Sequence, residues 1–510
     1  MVETFSRVSK VLWFGRLAFP MLGLVFSQAF SETSVLIGSK IAVGFYGAPK
    51  TGTFAADTVD RYGVNWRGLQ VPLETGRHYE TIDPMFEIYV GGRYRDFSVY
   101  ITMPIRKDIE AWYEDDLSTN TTYLPDNIDI NVPVEGFARW DYGVGFVQFG
   151  RFKPDMGPSP NTLALGGAPY HDAILWNFAP GVLRYDFFVS SLNSHLHGTP
   201  DSPGAETAAS TEAWKQSHLQ IDNQRNRVYA EPYKTLVYHR IGVDFGFAWF
   251  NGIEQSVVGG KQIEFRTINP FMFWHDNYAT GYTKANATLE FGLRPIRGSS
   301  FYYQLGIEDI KSPVGETGEN STRNILSHLV GYSQTVETAR FGTFEARLDA
   351  VLTDPAAGNE RLPLLKYSSR RMYHSNYREQ SDPNFADMFF VDYPLGYRRG
   401  PDAKDLWFTL RWTLGRHEGN LELAWLRQGD KEIYTDYDEA LACKRTLSGI
   451  VERQYVADFT YRIALFGGLR AKLGGGIRKY RNLEHENGDN GVDFWGVAGV
   501  DWDISYQKHF

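Results

Sequence analysis

The sequence predicts an all-β protein, a transmembrane antiparallel β-barrel of about 16–18 strands. Three observations predict this fold: apolar and polar residues alternate with a period of two, aromatic residues abound without a membrane-length apolar run in the mature chain, and the last strand has one apolar and one charged face. Phe, Tyr and Trp number 34, 30 and 13 among 510 residues. Barrels spread their hydrophobicity over alternate positions and collect aromatic side chains at the membrane interfaces, which accounts for both patterns.

The first 31 residues resemble a secretory signal peptide. Three basic residues precede an apolar stretch over 17–26, and small residues follow it up to Ser31. The stretch is short for a membrane helix, so an uncleaved anchor is the lesser alternative. We therefore expect a signal peptide over 1–31 and a single barrel domain over 32–510.

Composition narrows the class of protein further. The single cysteine, Cys443, excludes an intrachain disulfide framework. A net charge of -9 argues against nucleic acid as a partner, because phosphate binding needs concentrated Lys and Arg. A large secreted sandwich or propeller is the alternative fold for such a β-rich chain.

Strand patterns recur along the whole chain. Alternating apolar faces occur over 97–103, 183–189, 301–307 and 344–352, and one longer face runs over 237–249 without a clear turn signal. Two further pairs of segments, each separated by a glycine-containing connection, predict hairpins with tight periplasmic turns. They are 406–414 with 421–425, and 459–465 with 469–477.

The last nineteen residues form the clearest strand. One face carries Phe494, Val500, Trp502, Ile504, Tyr506 and Phe510. The other carries Asp493, Asp501, Asp503, Ser505, Gln507 and His509. This pattern indicates lipid on one side of the sheet and water on the other, and a terminal Phe is typical of outer-membrane barrels.

Longer polar segments between the strands predict extracellular loops, because outer-membrane barrels place short turns in the periplasm and long loops outside. These segments lie over 193–227, 311–324, 355–383 and 428–453. A barrel of this girth encloses an aqueous channel unless loops or an inserted segment fill it.

Charged residues on the inner faces of the predicted strands form a candidate lumen lining. They are the basic Arg462, Arg470, Lys472 and Arg478 and the acidic Glu345, Asp349, Glu422, Asp501 and Asp503. Opposed charges either set a transverse field in an open pore or cross-link a filled lumen, and the sequence leaves both open.

The run YSSRRMYHSNYRE in the 355–383 loop is the candidate polysaccharide site, since aromatic faces stack on sugars and guanidinium groups bind hydroxyls and carboxylates. The candidate contacts are Tyr367, Arg370, Arg371, Tyr373, Tyr377 and Arg378, with Trp214 on another loop. An ordinary solvated loop is the competing interpretation.

Signs of catalysis or metal binding are weak. No serine nucleophile motif stands out, and the glycine run over 473–477 lies inside a strand, where it lets the wall bend or approach another backbone. The possible metal ligands lack a full motif. They are His195 with His197, Asp126 with Asp129, and Asp436 with Asp438 and Glu439. We expect no enzyme activity, cofactor or metal.

The segment over 150–176, GRFKPDMGPSPNTLALGGAPYHDAILW, breaks the alternation between two good strands. This segment, the strand GVLRYDFF that follows, HR at 239–240, GIEQSVVGGKQIEFRTINP at 252–270 and YYQLGIED resemble the Wzi family of outer-membrane barrels involved in capsule assembly. The resemblance covers about residues 143–309. It implies a partly occluded barrel of about 18 strands that retains or organises extracellular polysaccharide.

Two classes of function follow, with an inert outer-membrane scaffold as a third. The first is a Wzi-like surface barrel that binds capsular or extracellular polysaccharide, and the second is a diffusion porin or substrate-specific channel. In either case we expect a bacterial outer-membrane location, contact with outer-membrane lipid, and recognition of the C-terminal strand by the barrel-assembly machinery.

Overall fold

The computed structural model describes most of the chain from Thr33 to His509. The described residues are 33–47, 55–61, 64–114, 118–123, 127–129, 134–166, 170–193, 234–259, 268–271, 283–309, 323–360, 365–374 and 388–509. The predicted signal peptide over 1–31 lies outside these ranges.

Eighteen strands close into an antiparallel barrel, which confirms the predicted fold class. In chain order the wall strands are β1 (Thr33–Tyr46), β4 (Phe86–Tyr94), β5 (Phe97–Lys107), β7 (Glu135–Asp141), β8 (Gly145–Phe152), β9 (His171–Phe178), β10 (Leu183–Leu192), β11 (Lys234–Asp244), β12 (Ala248–Gly259), β13 (Thr283–Leu293), β14 (Ser299–Asp309), β15 (Ile325–Thr338), β16 (Gly342–Leu352), β19 (Lys404–Leu414), β20 (His417–Gln428), β21 (Glu452–Ala464), β22 (Leu469–Arg481) and β23 (Asn490–His509). The other strands are β2 (Ala55–Arg61), β3 (Val64–Gln70), β6 (Ile128–Asp129), β17 (Ser368–His374) and β18 (Met388–Pro394). The ring closes because β1 pairs with β23 on one edge and with β4 on the other.

The two ends of the barrel differ in the length of their connections. Eight connections, such as Arg95 and Asp96 between β4 and β5, contain two to five residues. The connections at the opposite end are longer, and the shortest of them spans 482–489. Thr33 and His509 both lie at the short-turn end. Outer-membrane barrels keep short turns in the periplasm, so the long connections form the extracellular end.

Side chains alternate across the wall as the sequence predicts. On β23, Phe494 and Tyr506 point outward with 74% and 65% of their surface exposed, whereas the inward Asp501 is 5% exposed. Apolar side chains on the outside of a closed wall meet lipid, and closure leaves no unpaired edge in the membrane. The chain is thus a membrane-spanning barrel of the outer-membrane type. No helix in the described ranges is long and apolar enough to cross a membrane.

A second, four-stranded sheet lies inside the barrel. Its strand order is β17–β18–β3–β2, with a parallel pairing between β18 and β3 and antiparallel pairings elsewhere. These strands belong to the long connections β1–β4 and β16–β19, so they enter the lumen from the extracellular end. The described parts of the connections contain three short α-helices: α1 (Leu73–Thr81), α2 (Ile109–Glu114) and α3 (Tyr437–Ala442). We call the inner sheet, α1, α2 and the segment over 153–166 the plug.

The plug is anchored to inward-facing residues of the wall. Lys234 of β11 donates from Nζ to the carbonyl oxygens of Lys366 and Ser368, both at 2.6 Å. The hydroxyl of Tyr367 donates to Gln255 of β12. Since β11 and β12 direct these side chains into the lumen, the contacts place the inner sheet within the barrel.

Apolar cores hold the plug together and join it to the wall. One core surrounds Trp112 and Phe389, which are both fully buried, and includes Tyr46 of the wall strand β1. Another joins Leu165 of the 153–166 segment to Phe188 of β10. Burying a large apolar side chain contributes about 1.5–3 kcal/mol. The plug is therefore packed like a domain interior.

Two expectations about the strands need correction. The face predicted over 237–249 is two strands, with a turn at 245–247, so Trp249 points inward while Ile241 points outward. The segment predicted as a surface loop over 355–383 contains β17 of the plug. Polar residues of β17, such as Arg370, are buried inside the barrel, where they pair with other polar side chains.

The glycines over 473–477 permit the close approach that the sequence predicts. A Cβ atom at Gly474 would lie 2.5 Å from the carbonyl oxygen of Phe459, and one at Gly476 would lie 2.2 Å from the indole of Trp495. The Trp495 ring covers the inner face of Gly476 and donates from Nε1 to Asp458 at 3.0 Å. Bare backbone at this position makes room for a lumen-facing aromatic ring.

Candidate functional site

The predicted polysaccharide residues that the structure describes lie inside the plug. Tyr367, Arg370 and Tyr373 are 4%, 3% and 2% exposed. Because their side chains are enclosed by the inner sheet and the wall, they present no surface to an external polymer. Their assignment to a surface site is therefore wrong. Tyr377, Arg378 and Trp214 lie outside the described residues.

Arg370 instead forms a buried ion pair that joins two strands of the plug. It lies opposite Asp392 in the β17–β18 pairing. Its Nε and Nη2 atoms donate to the two carboxylate oxygens of Asp392, each at 2.8 Å. The Arg370 and Asp392 side chains are 2% and 1% exposed. Tyr434, from the β20–β21 connection, also donates to Asp392 at 2.8 Å. The pair thus fixes the inner sheet and ties an extracellular connection to it.

A second charged group lies between α1, the plug and the wall. Glu80 of α1 accepts a hydrogen bond from the Tyr373 hydroxyl at 2.5 Å. Its carboxylate lies 2.8 Å from Arg371 Nε and 3.7 Å from Arg106 Nη1. Burial raises the pKa of Glu80, but Arg371 and Arg106 outweigh that effect and hold this pKa at about 2. The carboxylate is therefore ionised at neutral pH.

The charged group around Glu80 also includes Lys153, whose side chain is exposed to solvent. Lys153 Nζ lies 4.5 Å from the centre of the Tyr170 ring, and the Arg371 guanidinium lies 5.3 Å from the same ring. Lys153 is exposed and Tyr170 half-buried. We call Glu80, Arg106, Lys153, Tyr170 and Arg371 the cation cluster. The cluster contains three cations and one carboxylate. Glu135 also interacts with Lys153, and with it counted the site is still net positive and suits a small anion beside an aromatic ring.

The residues predicted to line the lumen occupy inward positions in the strand register. Register pairs such as Arg462 with Lys472 and Arg470 with Asp501 share the inner face of the wall. The set with inward positions is Arg462, Arg470, Lys472, Arg478, Glu345, Asp349, Glu422, Asp501 and Asp503.

Several of these residues cross-link the plug to the wall. Asp349 of β16 is 1% exposed and accepts from Asn161 of the plug at 2.9 Å, as well as from Ser159. Lys472 of β22 lies 3.1 Å from Asp83, which follows α1. Lys40 of β1 also lies 3.1 Å from Asp83. At this level of the barrel the charges bind a filled lumen together.

Nearer the periplasmic end the same wall is open to water. Glu345 and Arg411 face each other at 3.8 Å with 51% and 67% of their side chains exposed. Arg470, 2.7 Å from Asp501, is 40% exposed. Among the described residues, the lumen therefore has a solvent-accessible, charged vestibule on the periplasmic side and a packed plug on the extracellular side.

One small cavity lies among the described residues of the packed half. A cavity of about 50 Å³ lies between the plug and the wall, with Leu163, Gln255 and Tyr367 in its lining. Pockets for small ligands measure about 300–1,000 Å³. This cavity is too small for a sugar ring.

The acidic residues considered as metal ligands have other roles where the structure describes them. Asp436 caps α3, accepting from the backbone N–H groups of Asp438 and Glu439 at 2.9 and 3.2 Å. Asp129 is buried. Within the described ranges, no cluster of three or more His, Cys, Asp or Glu side chains has the geometry to hold a metal ion. His195, His197 and Asp126 lie outside those ranges.

Sequence reasoning missed the other members of the cation cluster. Glu80 comes from the β1–β4 connection and Arg106 from β5, whereas Lys153 and Tyr170 lie at the two ends of the β8–β9 connection. The one usable signal is the break in alternation over 150–176, which marks a segment that leaves the wall.

The solved structures that are similar to this chain are low in sequence identity. No family model and no curated protein sequence matches it. Wzi of Escherichia coli, an outer-membrane protein involved in group 1 capsule assembly and described as a carbohydrate-binding β-barrel, is 12% identical with a TM-score of 0.47, covering 92% of this chain and 84% of its own. OprD of Pseudomonas aeruginosa is 8% identical with a TM-score of 0.40, covering 94% and 97%. OccAB4 of Acinetobacter baumannii is 10% identical with a TM-score of 0.37, covering 93% and 98%. Similarity at this level assigns no ligand.

Proposed function

We propose that this protein is a closed outer-membrane barrel that binds or organises extracellular polysaccharide at the cell surface. The observation that carries the proposal is the packed plug in the extracellular half of the lumen. A wide aqueous pore requires an empty lumen, whereas a rigid, filled barrel suits a fixed platform beneath a surface polymer. The proposal includes no enzymatic step.

Contacts that hold two described extracellular connections in place support this proposal. The connection between β20 and β21 forms α3 and donates through Tyr434 to the buried Asp392. His485 of the β22–β23 connection lies 3.6 Å from Glu432 of the same neighbouring connection. Loops held in one conformation lose little entropy on binding, so they suit a repetitive polymer. The sequence resemblance to the Wzi family over 143–309 points to the same role.

A substrate-specific channel is the second candidate function, and the cation cluster favours it. Exposed Lys153 and half-buried Arg371 would attract a small anion along the inner wall, even beside a plug that excludes larger solutes. Such a pathway would be anion-selective. Replacing Lys153 with Gln would then reduce the selectivity.

Polysaccharide binding by the purified protein tests the first proposal directly. The barrel in detergent micelles is titrated with the capsular or extracellular polysaccharide of the source bacterium, with a neutral dextran as control. Saturable binding to the source polymer alone is expected. Deleting the gene should also reduce cell-attached polysaccharide, and complementation should restore it. Absence of binding together with unchanged surface polysaccharide would contradict the proposal.

A further inference from the structure

Three arginines form a continuous row across neighbouring wall strands at the extracellular end. Arg427 of β20 lies directly opposite Arg453 of β21, and Arg453 lies directly opposite Arg481 of β22. Neighbouring strands are about 4.8 Å apart, so the row spans about 10 Å. Each arginine is within one residue of the extracellular end of its strand.

The row points outward, toward the membrane side of the wall. Two residues further toward the membrane on each strand, the next outward-facing positions hold Trp425, Tyr455 and Lys479. Trp425 lies opposite Tyr455, and Tyr455 lies opposite Lys479. The Trp425 and Tyr455 rings stack with centroids 6.3 Å apart and planes 7° from parallel. Aromatic girdles mark the interface of the bilayer. We call Arg427, Arg453, Lys479 and Arg481 the basic row.

The side chains of the basic row have no hydrogen bond or ion pair with any residue that the structure describes, and the contact of Arg427 is with the Trp425 ring, 4.4 Å from its centre. Like charges directly opposite each other in a sheet destabilise it. Arg453 and Arg481 are exposed and border an open groove of about 680 Å³, together with Lys479 and the side chains of Asn482 and Asn490. A concentration of cations without protein acids calls for an external anion.

We propose that the basic row binds the phosphate groups of an outer-leaflet glycolipid. Guanidinium forks bind phosphate oxygens in a bidentate fashion, and Lys adds a point charge. Asn482 and Asn490 line the same groove, and their amides hold the 482–489 connection in place through hydrogen bonds with the backbone of Val451 and Gly488. The acyl chains of the same lipid would continue down the apolar outer face past Ile477 and Phe494.

The position of the row favours a lipid over an extracellular polymer. The cations lie on the outer face of the wall, in line with the lipid-facing belt, whereas a polymer would approach along the barrel axis. A single amphiphilic lipid can contact both surfaces, because its phosphates bind the basic row and its acyl chains pack against the apolar, lipid-facing surface. The row is also separate from the plug and the cation cluster.

Titration of the detergent-purified full-length barrel with diphosphoryl lipid A tests the proposal, with binding measured by native mass spectrometry. The test variant is Arg453→Gln/Arg481→Gln. Its matched control is Lys444→Gln/Arg445→Gln, which removes the same charge from an exposed part of the β20–β21 connection. Loss of charge-assisted contacts should weaken lipid A binding by about tenfold or more in the test variant. The control should bind like the parent protein.

Further arms identify the ligand and guard against misfolding. Dephosphorylated lipid A should bind weakly to the parent, and inorganic phosphate at millimolar concentration should not replace the lipid. If the Gln variant fails to fold, Arg453→Lys/Arg481→Lys keeps the charge, loses the forks and should give an intermediate affinity. Equal lipid A binding by the parent and the folded test variant would overturn the proposal. Specific binding of an acidic polysaccharide at the row, in place of lipid A, would overturn it as well.

Discussion

Asp392 provides the sharpest test of how the plug is held. Asp392→Asn keeps the shape of the side chain and removes the charge opposite Arg370, leaving a guanidinium in a site that is 2% exposed. Removing one member of a buried ion pair costs about 3–5 kcal/mol, because the remaining charge is uncompensated. Tyr434 would also lose its carboxylate acceptor.

The expected result is local. The wall is closed by strand pairing on every edge, so it should stay folded while the plug opens more often. A loss of about 3–5 kcal/mol corresponds to a fall in amide protection of roughly a hundredfold to several thousandfold. Hydrogen exchange with mass spectrometry should find this fall in β17 and β18, while β23 keeps its protection.

A paired variant separates charge imbalance from general damage. Arg370→Met/Asp392→Leu replaces both charges by apolar groups, and such replacements of buried pairs are often neutral or stabilising. It should therefore recover much of the protection that Asp392→Asn loses. Unchanged protection of β17 and β18 in Asp392→Asn would refute this account of the plug.

Three further predictions concern other parts of the molecule. The pKa of Glu80 is lowered to about 2, so its contribution to plug stability is present above about pH 4.5 and is lost as the pH falls toward 2. Hydrogen exchange of the plug across this range should show the loss, and Glu80→Gln should reduce the pH dependence to the part that comes from Asp83, whose pKa is also lowered. Asp436→Ala should destabilise α3 by about 1 kcal/mol through the lost N-cap, seen as faster exchange in α3, and added calcium should not protect it. Gly476→Ala places a methyl group against the Trp495 indole and should cost about 1–3 kcal/mol by thermal unfolding, with Gly476→Ala/Trp495→Ala losing less than the sum of the two single variants.

The wall of the barrel could be predicted because its signal is local. In β23 and in the β19–β20 hairpin, each residue's side of the wall follows from its place in a period-two pattern. The turn at 245–247 was missed because Phe245 and Phe247 are exposed aromatic residues at the membrane interface, 57% and 68% exposed. A turn made of apolar residues lacks the polar residues that usually mark the boundary between two strands.

The plug and the candidate site could not be predicted in the same way. In the sequence, Arg370 has the character of a surface residue. Its partner Asp392 lies opposite it only in the folded protein. Glu80 and Lys153 likewise meet Arg106 only because the β1–β4 and β8–β9 connections fold into the lumen beside β5. Their contacts are non-local, so no spacing within the sequence encodes them.

Single-channel conductance of the purified barrel in planar bilayers tests the central claim, that a packed plug closes the extracellular half of the lumen. Insertion is verified independently by antibody or mass labelling of the bilayer. The structure predicts the absence of stable, porin-sized openings from verified, folded barrels. A small anion-selective current would favour the substrate-specific channel over the surface platform. Stable conductance of the size expected for an empty 18-stranded lumen would contradict the claim.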